Sequence, residues 1–206
     1  MYKPLEAMVD RLESGFDSIP SDRKKQLEKL ADYVREKVEA GNTARLNFIC
    51  THNSRRSHLA QIWASLAAHH YGITSIKTYS GGTEATAFNP RAVAALARAG
   101  FTISNPGGDN PRYSVRFSDN VPAMTCFSKT FDHETNPTRH FAAIMTCSDA
   151  DENCPYVPGA EFRLPITYRD PKESDGTSRE AAVYDERLNQ IATDMLYTMH
   201  KVTSHA

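Results

Sequence analysis

Leu46-Asn47-Phe48-Ile49-Cys50-Thr51-His52-Asn53-Ser54-Arg55-Arg56-Ser57 sets a short apolar run against a polar loop, and a helical pattern follows over about Ser57–Tyr71. That order reads as a strand, a loop and a helix, the first βα unit of a parallel sheet. Working outward, Ser75–Ser80 is a second strand, with Gly81-Gly82 read as a turn. Asn89-Pro90 offers a cap followed by proline at the first helical position, and Gly100 stands just past the end, so Pro90–Ala99 is a helix. His140–Thr146 reads as a buried strand ending at Cys147, and Glu180–Val202 as a long amphipathic closing helix. The fold class is therefore α/β, with helices flanking a parallel sheet.

Before this unit, Leu5, Met8, Val9, Leu12 and Phe16 fall at helical spacing, and a second helix opens at Ser21 and closes at Gly41. Residues 1–44 read as an N-terminal helical extension, a hairpin serving packing or dimerisation, and 45–206 as one catalytic domain. Residues 105–140 are the least regular part. Two β-like pieces there, Tyr113–Phe117 and Ala123–Phe127, predict an inserted β-hairpin around Ser118-Asp119-Asn120, and the Gly/Pro-rich tract Ser104–Pro111 reads as a rim of the site.

The 206 residues suffice for one α/β domain plus an appendage. A net charge of -1 supplies no basic field, so neither nucleic acid nor an acidic membrane surface is an expected partner. No stretch approaches the roughly 20 apolar residues of a membrane span, and the opening is amphipathic rather than a signal core. These features predict a cytoplasmic protein, whose four cysteines at 50, 126, 147 and 154 are free or catalytic rather than paired structurally. Their spacing does not suit zinc, and no metal or cofactor is expected. Cys126 reads as a small apolar strand residue.

The chemistry concentrates at Cys50–Ser57. A loop between strand and helix presents backbone N–H groups and a helix dipole to an anion. A thiolate at its head is stabilised by the same field. Thr51, His52, Asn53, Ser54 and Arg55 would supply the cradle. Arg56 adds a planar fork for bidentate oxyanion binding, and Ser57 a hydrogen bond to the sulfur.

Cysteine, five residues, then Arg-Ser, with Asn53 three residues after the cysteine, resembles the signature of the low-molecular-weight protein tyrosine phosphatases and of the thioredoxin-coupled arsenate reductases built on the same fold. The resemblance covers about Arg45–Val202 and implies a central four-stranded parallel sheet. It also implies that Asp170, in Tyr168-Arg169-Asp170-Pro171, is the general acid that protonates the departing oxygen; alone, Asp-Pro is a common turn dipeptide.

A phosphatase needs one cysteine, whereas the reductases use three, the second and third separated as Cys147 and Cys154 are here. By this resemblance Cys50 attacks arsenate, Cys147 attacks Cys50 to release arsenite, and Cys154 attacks Cys147, leaving a disulfide for thioredoxin to reduce. The intervening Asp149, Asp151, Glu152 and Asn153 suit a mobile, solvated stretch that must loop or unwind. An arsenate reductase is the expected function. The alternatives are a phosphotyrosine phosphatase working through a phosphocysteine, and a non-catalytic redox or anion-binding regulator.

Three positions depart from the pattern. His52 replaces a frequent glycine, and Arg55 stands where the reductases often carry a further cysteine. Some relatives bind potassium through an Asn, a Ser and an acidic residue on the next helix; Asn53 and Ser57 match, but the acidic position is Gln61, so cation activation is not expected.

Overall fold

The computed structural model describes residues 1–154 and 156–204. Two helices open the chain, α1 (Lys3–Glu13) and α2 (Ser21–Glu39), separated by a short 3-10 turn at Phe16–Ser18. Each lays its apolar stripe on the closing helix α6 (Glu180–Thr203). Leu5 and Val9 of α1 share one buried cluster with Leu27, Leu30 and Val34 of α2 and with Ile191 and Met195 of α6. The extension is thus continuous with the core of the sheet domain.

The central sheet has four strands, all parallel, in the order β2-β1-β6-β7. They are β1 (Ala44–Cys50), β2 (Ile76–Gly82), β6 (Phe141–Met145) and β7 (Ala160–Pro165). Strand β1 lies in the interior, which is why Leu46–Cys50 is a nearly unbroken buried run. Strand β7 has no counterpart in the sequence reading, because an edge strand carrying Glu161 and Arg163 lacks an apolar signature.

Helix α3 (Arg56–His70) follows the loop, and α4 (Pro90–Ala99) has the bounds its caps predict. The Asn89 side chain accepts from the Arg91 amide at 2.9 Å, and Gly100 takes the left-handed conformation at φ 113°.

Gly81 and Gly82 are not a turn. They end β2 in register with Ile49 and Cys50, and the absence of side chains is what the site requires. A Cβ on Gly81 would lie 2.3 Å from the Phe131 Cα, and one on Gly82 2.6 Å from the Thr51 carbonyl oxygen.

The irregular middle segment forms a second, antiparallel sheet of β3 (Thr102–Ser104), β4 (Tyr113–Arg116) and β5 (Met124–Cys126). The expected hairpin is its β4–β5 pair, with Tyr113 opposite Cys126. Cys126 is fully buried there, and burial pushes its thiol up to about 12, so it is inert. Between Cys147 and Cys154 the chain is helical, α5 (Ser148–Asn153), where a looped stretch was expected; its solvated face does carry Asp149, Glu152 and Asn153. Pro155, the last residue of that motif, lies outside the described residues.

Candidate active site

Parallel β1 and β6 place their C-terminal ends side by side, Ile49 opposite Met145. The Thr146 amide donates to the Ile49 carbonyl at 2.7 Å, and the Thr146 hydroxyl to the same oxygen at 2.9 Å. The next residues on each strand, Cys50 and Cys147, therefore emerge side by side at the C-terminal end of the sheet. They share a small buried cluster with Ile49, Met145, Ala150 and Val157. Both are nearly sealed, 4% and 1% exposed.

The Cys50 sulfur is nevertheless not in purely apolar surroundings. Ser57 Oγ stands 3.1 Å from it. Asn53 Nδ2 donates to the same Oγ at 2.8 Å, which occupies an acceptor site of the hydroxyl and leaves its proton free for the sulfur. Asn53 itself takes a left-handed conformation, φ 45°, a region that asparagine visits more readily than most residues. Its Oδ1 accepts the Lys129 amide at 3.0 Å.

The rest of the loop is held by its carbonyls. Those of Cys50 and Thr51 accept the amides of Thr83 and Glu84, at 3.1 and 2.9 Å, and that of Ser54 accepts the Asn89 amide at 2.9 Å. The His52 carbonyl accepts the Ser128 hydroxyl at 2.8 Å. Among the described residues, no amide from Thr51 to Arg55 donates to a backbone carbonyl. A loop whose carbonyls face the scaffold and whose amides are uncommitted is suited to an anion.

Side chains of the loop divide. The Arg56 guanidinium donates to the Tyr168 carbonyl at 2.9 Å through one terminal nitrogen and to Asp170 Oδ2 at 2.7 Å through the other. That leaves three of its five N–H donors. Arg55 points elsewhere, to the Tyr184 hydroxyl at 2.8 Å and to Asp175 at 3.5 Å, so its contribution to an oxyanion cradle is confined to its amide. His52 is half exposed and lies 3.6 Å from Glu84.

Asp170 caps a 3-10 turn over Pro171–Ser174, accepting the Lys172 amide at 3.0 Å through Oδ1 while Oδ2 faces Arg56. It opens on a cleft of about 380 Å³ whose walls include Arg169, Arg179 and Arg187.

Thr51 ties the first cysteine loop to the second. Its hydroxyl donates to Asp149 Oδ2 at 2.6 Å and lies 3.5 Å from the Cys147 sulfur. The Cys147 sulfur also caps α5, accepting the Ala150 amide at 3.4 Å. Cys154 lies beyond the far end of α5, half-buried, with its thiol pKa raised by burial despite nearby Arg163.

Sequence reasoning missed the brace of Ser128 and Lys129, which acts through one hydroxyl and one main-chain amide and leaves no motif. Burial pushes the Lys129 ammonium down to about 8. Asn53 Oδ1 accepts the Lys129 amide, and Gln61 Nε2 donates to the Thr78 carbonyl. Among the described residues no three His, Cys, Asp or Glu side chains group as a metal site.

This geometry, a cysteine heading a strand–loop–helix cradle with an arginine and an aspartate at its rim, coincides with the match to known proteins. Residues 45–113 match the profile described as low molecular weight phosphotyrosine protein phosphatase. An arsenate reductase of Bacillus subtilis (strain 168) is 28% identical over 141 residues, 68% of this chain and 84% of its own. Arsenate reductase 2 of Staphylococcus epidermidis is 32% identical over 124 residues, 60% of this chain and 76% of its own. Among solved structures, a low molecular weight phosphotyrosine phosphatase from Vibrio cholerae O395 superposes with a TM-score of 0.54 at 12% identity, covering 79% of this chain and 99% of that one. The chain belongs to the low molecular weight phosphotyrosine protein phosphatase family. The matched curated relatives named above are arsenate reductases.

Proposed function

We propose that this protein is an arsenate reductase in which Cys50, Cys147 and Cys154 act in sequence. The observation that carries the reading is the emergence of Cys50 and Cys147 from neighbouring parallel strands into one buried cluster, with Cys154 just beyond the helix that Cys147 caps. A phosphatase has no use for that pair.

Cys50, as thiolate, attacks the arsenic of arsenate held by the Thr51–Arg55 amides and Arg56. Asp170 protonates the departing oxygen, which leaves as water. Cys147, deprotonated, attacks the Cys50 sulfur. The sulfur–sulfur bond forms as the sulfur–arsenic bond breaks, and its electron pair stays on arsenic, which departs as arsenite. Cys154 then attacks Cys147 and frees Cys50. The remaining Cys147–Cys154 disulfide is reduced by an external dithiol, thioredoxin in this reading, in a reducing compartment such as the cytoplasm. No helix among the described residues is long and apolar enough to cross a membrane.

The phosphatase reading has its own support, since Cys50, Arg56 and Asp170 form a complete set for phosphoryl transfer without the other cysteines. One experiment separates the two. Arsenate-dependent oxidation of thioredoxin is expected in the wild type and lost in Cys50→Ser, Cys147→Ser and Cys154→Ser, with a glutathione-based system run in parallel to test the reductant. Aryl phosphate hydrolysis that survives Cys147→Ser and Cys154→Ser, with no arsenate turnover by either reductant, would assign the phosphatase instead.

A further inference from the structure

We propose that Arg23, on α2 of the N-terminal extension, is a positioning residue for Asp170, holding the acid loop in place through Tyr168. The inference rests on the reading of Asp170 as proton donor. Arg23 lies outside the stretch 45–113 that the family profile matches, so the device belongs to the appended helices.

The chain of contacts is continuous. Arg23 Nε donates to Asp194 Oδ2 of α6 at 2.9 Å, a pair in which Asp194 is buried and Arg23 half-buried. A terminal nitrogen of the same guanidinium donates to the Thr167 carbonyl at 3.2 Å, and its Cζ stands 4.6 Å above the Tyr168 ring. Tyr168 is fixed from the other side as well. Its amide donates to the Thr146 carbonyl at 3.1 Å, and its carbonyl accepts Arg56 at 2.9 Å. Asp170 follows two residues later and receives the second arm of Arg56.

Position matters here because Tyr168 is the last residue of this segment anchored to the sheet edge. Beyond it, Arg169 is exposed, and the loop meets the oxyanion cradle through the Arg56–Asp170 pair and, past the 3-10 turn, through Asp175 and Arg55. Without Arg23, one face of the Tyr168 ring and the Thr167 carbonyl lose their partner, and Asp194 is left as a buried charge with no cation. The ring and the main chain that follows it can then shift, carrying Asp170 away from its place beside Arg56. Misplacement of an acid by about 1 Å costs up to roughly a hundredfold in rate, with little change in substrate affinity.

The test uses the full chain as wild type, Arg23→Ala, Arg23→Lys, Asp170→Asn and the Arg23→Ala/Asp170→Asn double variant. kcat and KM for arsenate are measured alongside the thermal unfolding midpoint, and the same set is read on an aryl phosphate, whose leaving oxygen needs the same acid. Asp170→Asn is expected to lose about a hundredfold or more in kcat. Arg23→Ala is expected to lose about tenfold in kcat with KM changed less than about twofold, and nothing further in the Asp170→Asn background, since a device that acts through the acid has no effect once the acid is gone.

Arg23→Lys keeps a charge for Asp194 but lacks the planar fork that also reaches Thr167, so it falls between. Wild-type kcat in folded Arg23→Ala, or a tenfold loss that persists in the double variant, would overturn the inference in favour of a purely structural role. If Arg23→Ala does not fold, Arg23→Lys decides, and wild-type kcat there overturns it equally. Wild-type kcat in Asp170→Asn on both substrates would remove the acid assignment and this inference with it. Turnover of the aryl phosphate alone would fail the reductase reading while leaving the Arg23–Asp170 coupling measured.

Discussion

Replacing Asn53 separates three physical roles that one residue combines. Asn53→Ala removes the donor to Ser57 Oγ, leaves the Lys129 amide without its acceptor, and puts an alanine at φ 45°. The first loss costs about 1 kcal/mol and the orphaned buried N–H about 1–3 kcal/mol, and the left-handed conformation about 1–2 kcal/mol for a residue with a Cβ. Together these give about 4 kcal/mol, a large share of the ~5–15 kcal/mol that holds a domain folded. Asn53→Gly tolerates the backbone conformation and is expected to be milder by about 1 kcal/mol. Asn53→Asp keeps the acceptor for the Lys129 amide and tolerates the conformation, so it is expected to lose about 1–2 kcal/mol. Urea unfolding gives the three values, and the pH dependence of Cys50 alkylation in a Cys147→Ser/Cys154→Ser background reports the thiolate. Asn53→Asp is expected to shift that alkylation to higher pH, because a carboxylate replaces the amide beside Ser57. Equal stabilities for all three variants, within about 0.5 kcal/mol, would refute the assignment of the loop's shape to these contacts.

Thr51→Val cuts the path from the Cys147 thiol through the Thr51 hydroxyl to Asp149. In single-turnover experiments it is expected to slow arsenite release about tenfold more than it slows formation of the Cys50 adduct, and equal effects on both steps would refute the link. Lys129 titrates near 8 in the fold against an ordinary value of 10.5, so the unfolded chain binds its proton more tightly. Its contribution therefore costs stability at neutral pH, and that cost disappears as pH rises from about 8 to 10.5. Lys129→Met is expected to be more stable than wild type by about 2–3 kcal/mol at pH 7, a difference that shrinks across that window in urea unfolding; a constant difference would show that the ammonium is not desolvated.

The first βα unit was legible because an interior parallel strand must be apolar over its whole length, and Leu46–Cys50 is bounded by a loop that cannot continue it. Helix α4 was legible to the residue because both of its ends are chemically marked, by Asn89-Pro90 and by Gly100. Gly81-Gly82 misled for a specific reason. Glycine reads as punctuation in a sequence, and here it is spacing, letting Phe131 and the Thr51 carbonyl approach the strand end. The candidate site was legible where chemistry resides in side chains, at Cys50, Arg56, Asp170, Cys147 and Cys154. It was silent where support comes from main-chain groups or from residues remote in sequence, as with Ser128, Lys129 and Arg23. Arg55 shows the converse: adjacent to Arg56 and identical to it in type, it turns to Tyr184 and Asp175 because the helix start rotates it to the other side.

Helix α5 gives the proposed relay its order. Six helical residues rise about 9 Å, so the flanking cysteines stand too far apart for a disulfide, which needs Cα atoms within about 7 Å. While α5 is formed, Cys147 can meet Cys50, with which it shares a buried cluster, but not Cys154. The helix is held at its start by the Cys147 sulfur accepting the Ala150 amide, and near its end by Arg163, bound to Asp151 and to the Cys154 carbonyl. Attack on Cys50 turns that sulfur from a thiolate, a strong acceptor at a helix N-terminus, into one half of a neutral disulfide, a weak one. A helix this short has little intrinsic stability to set against the loss. Formation of the first disulfide thus weakens the element that keeps Cys154 away, and the second exchange becomes possible after the first rather than before it.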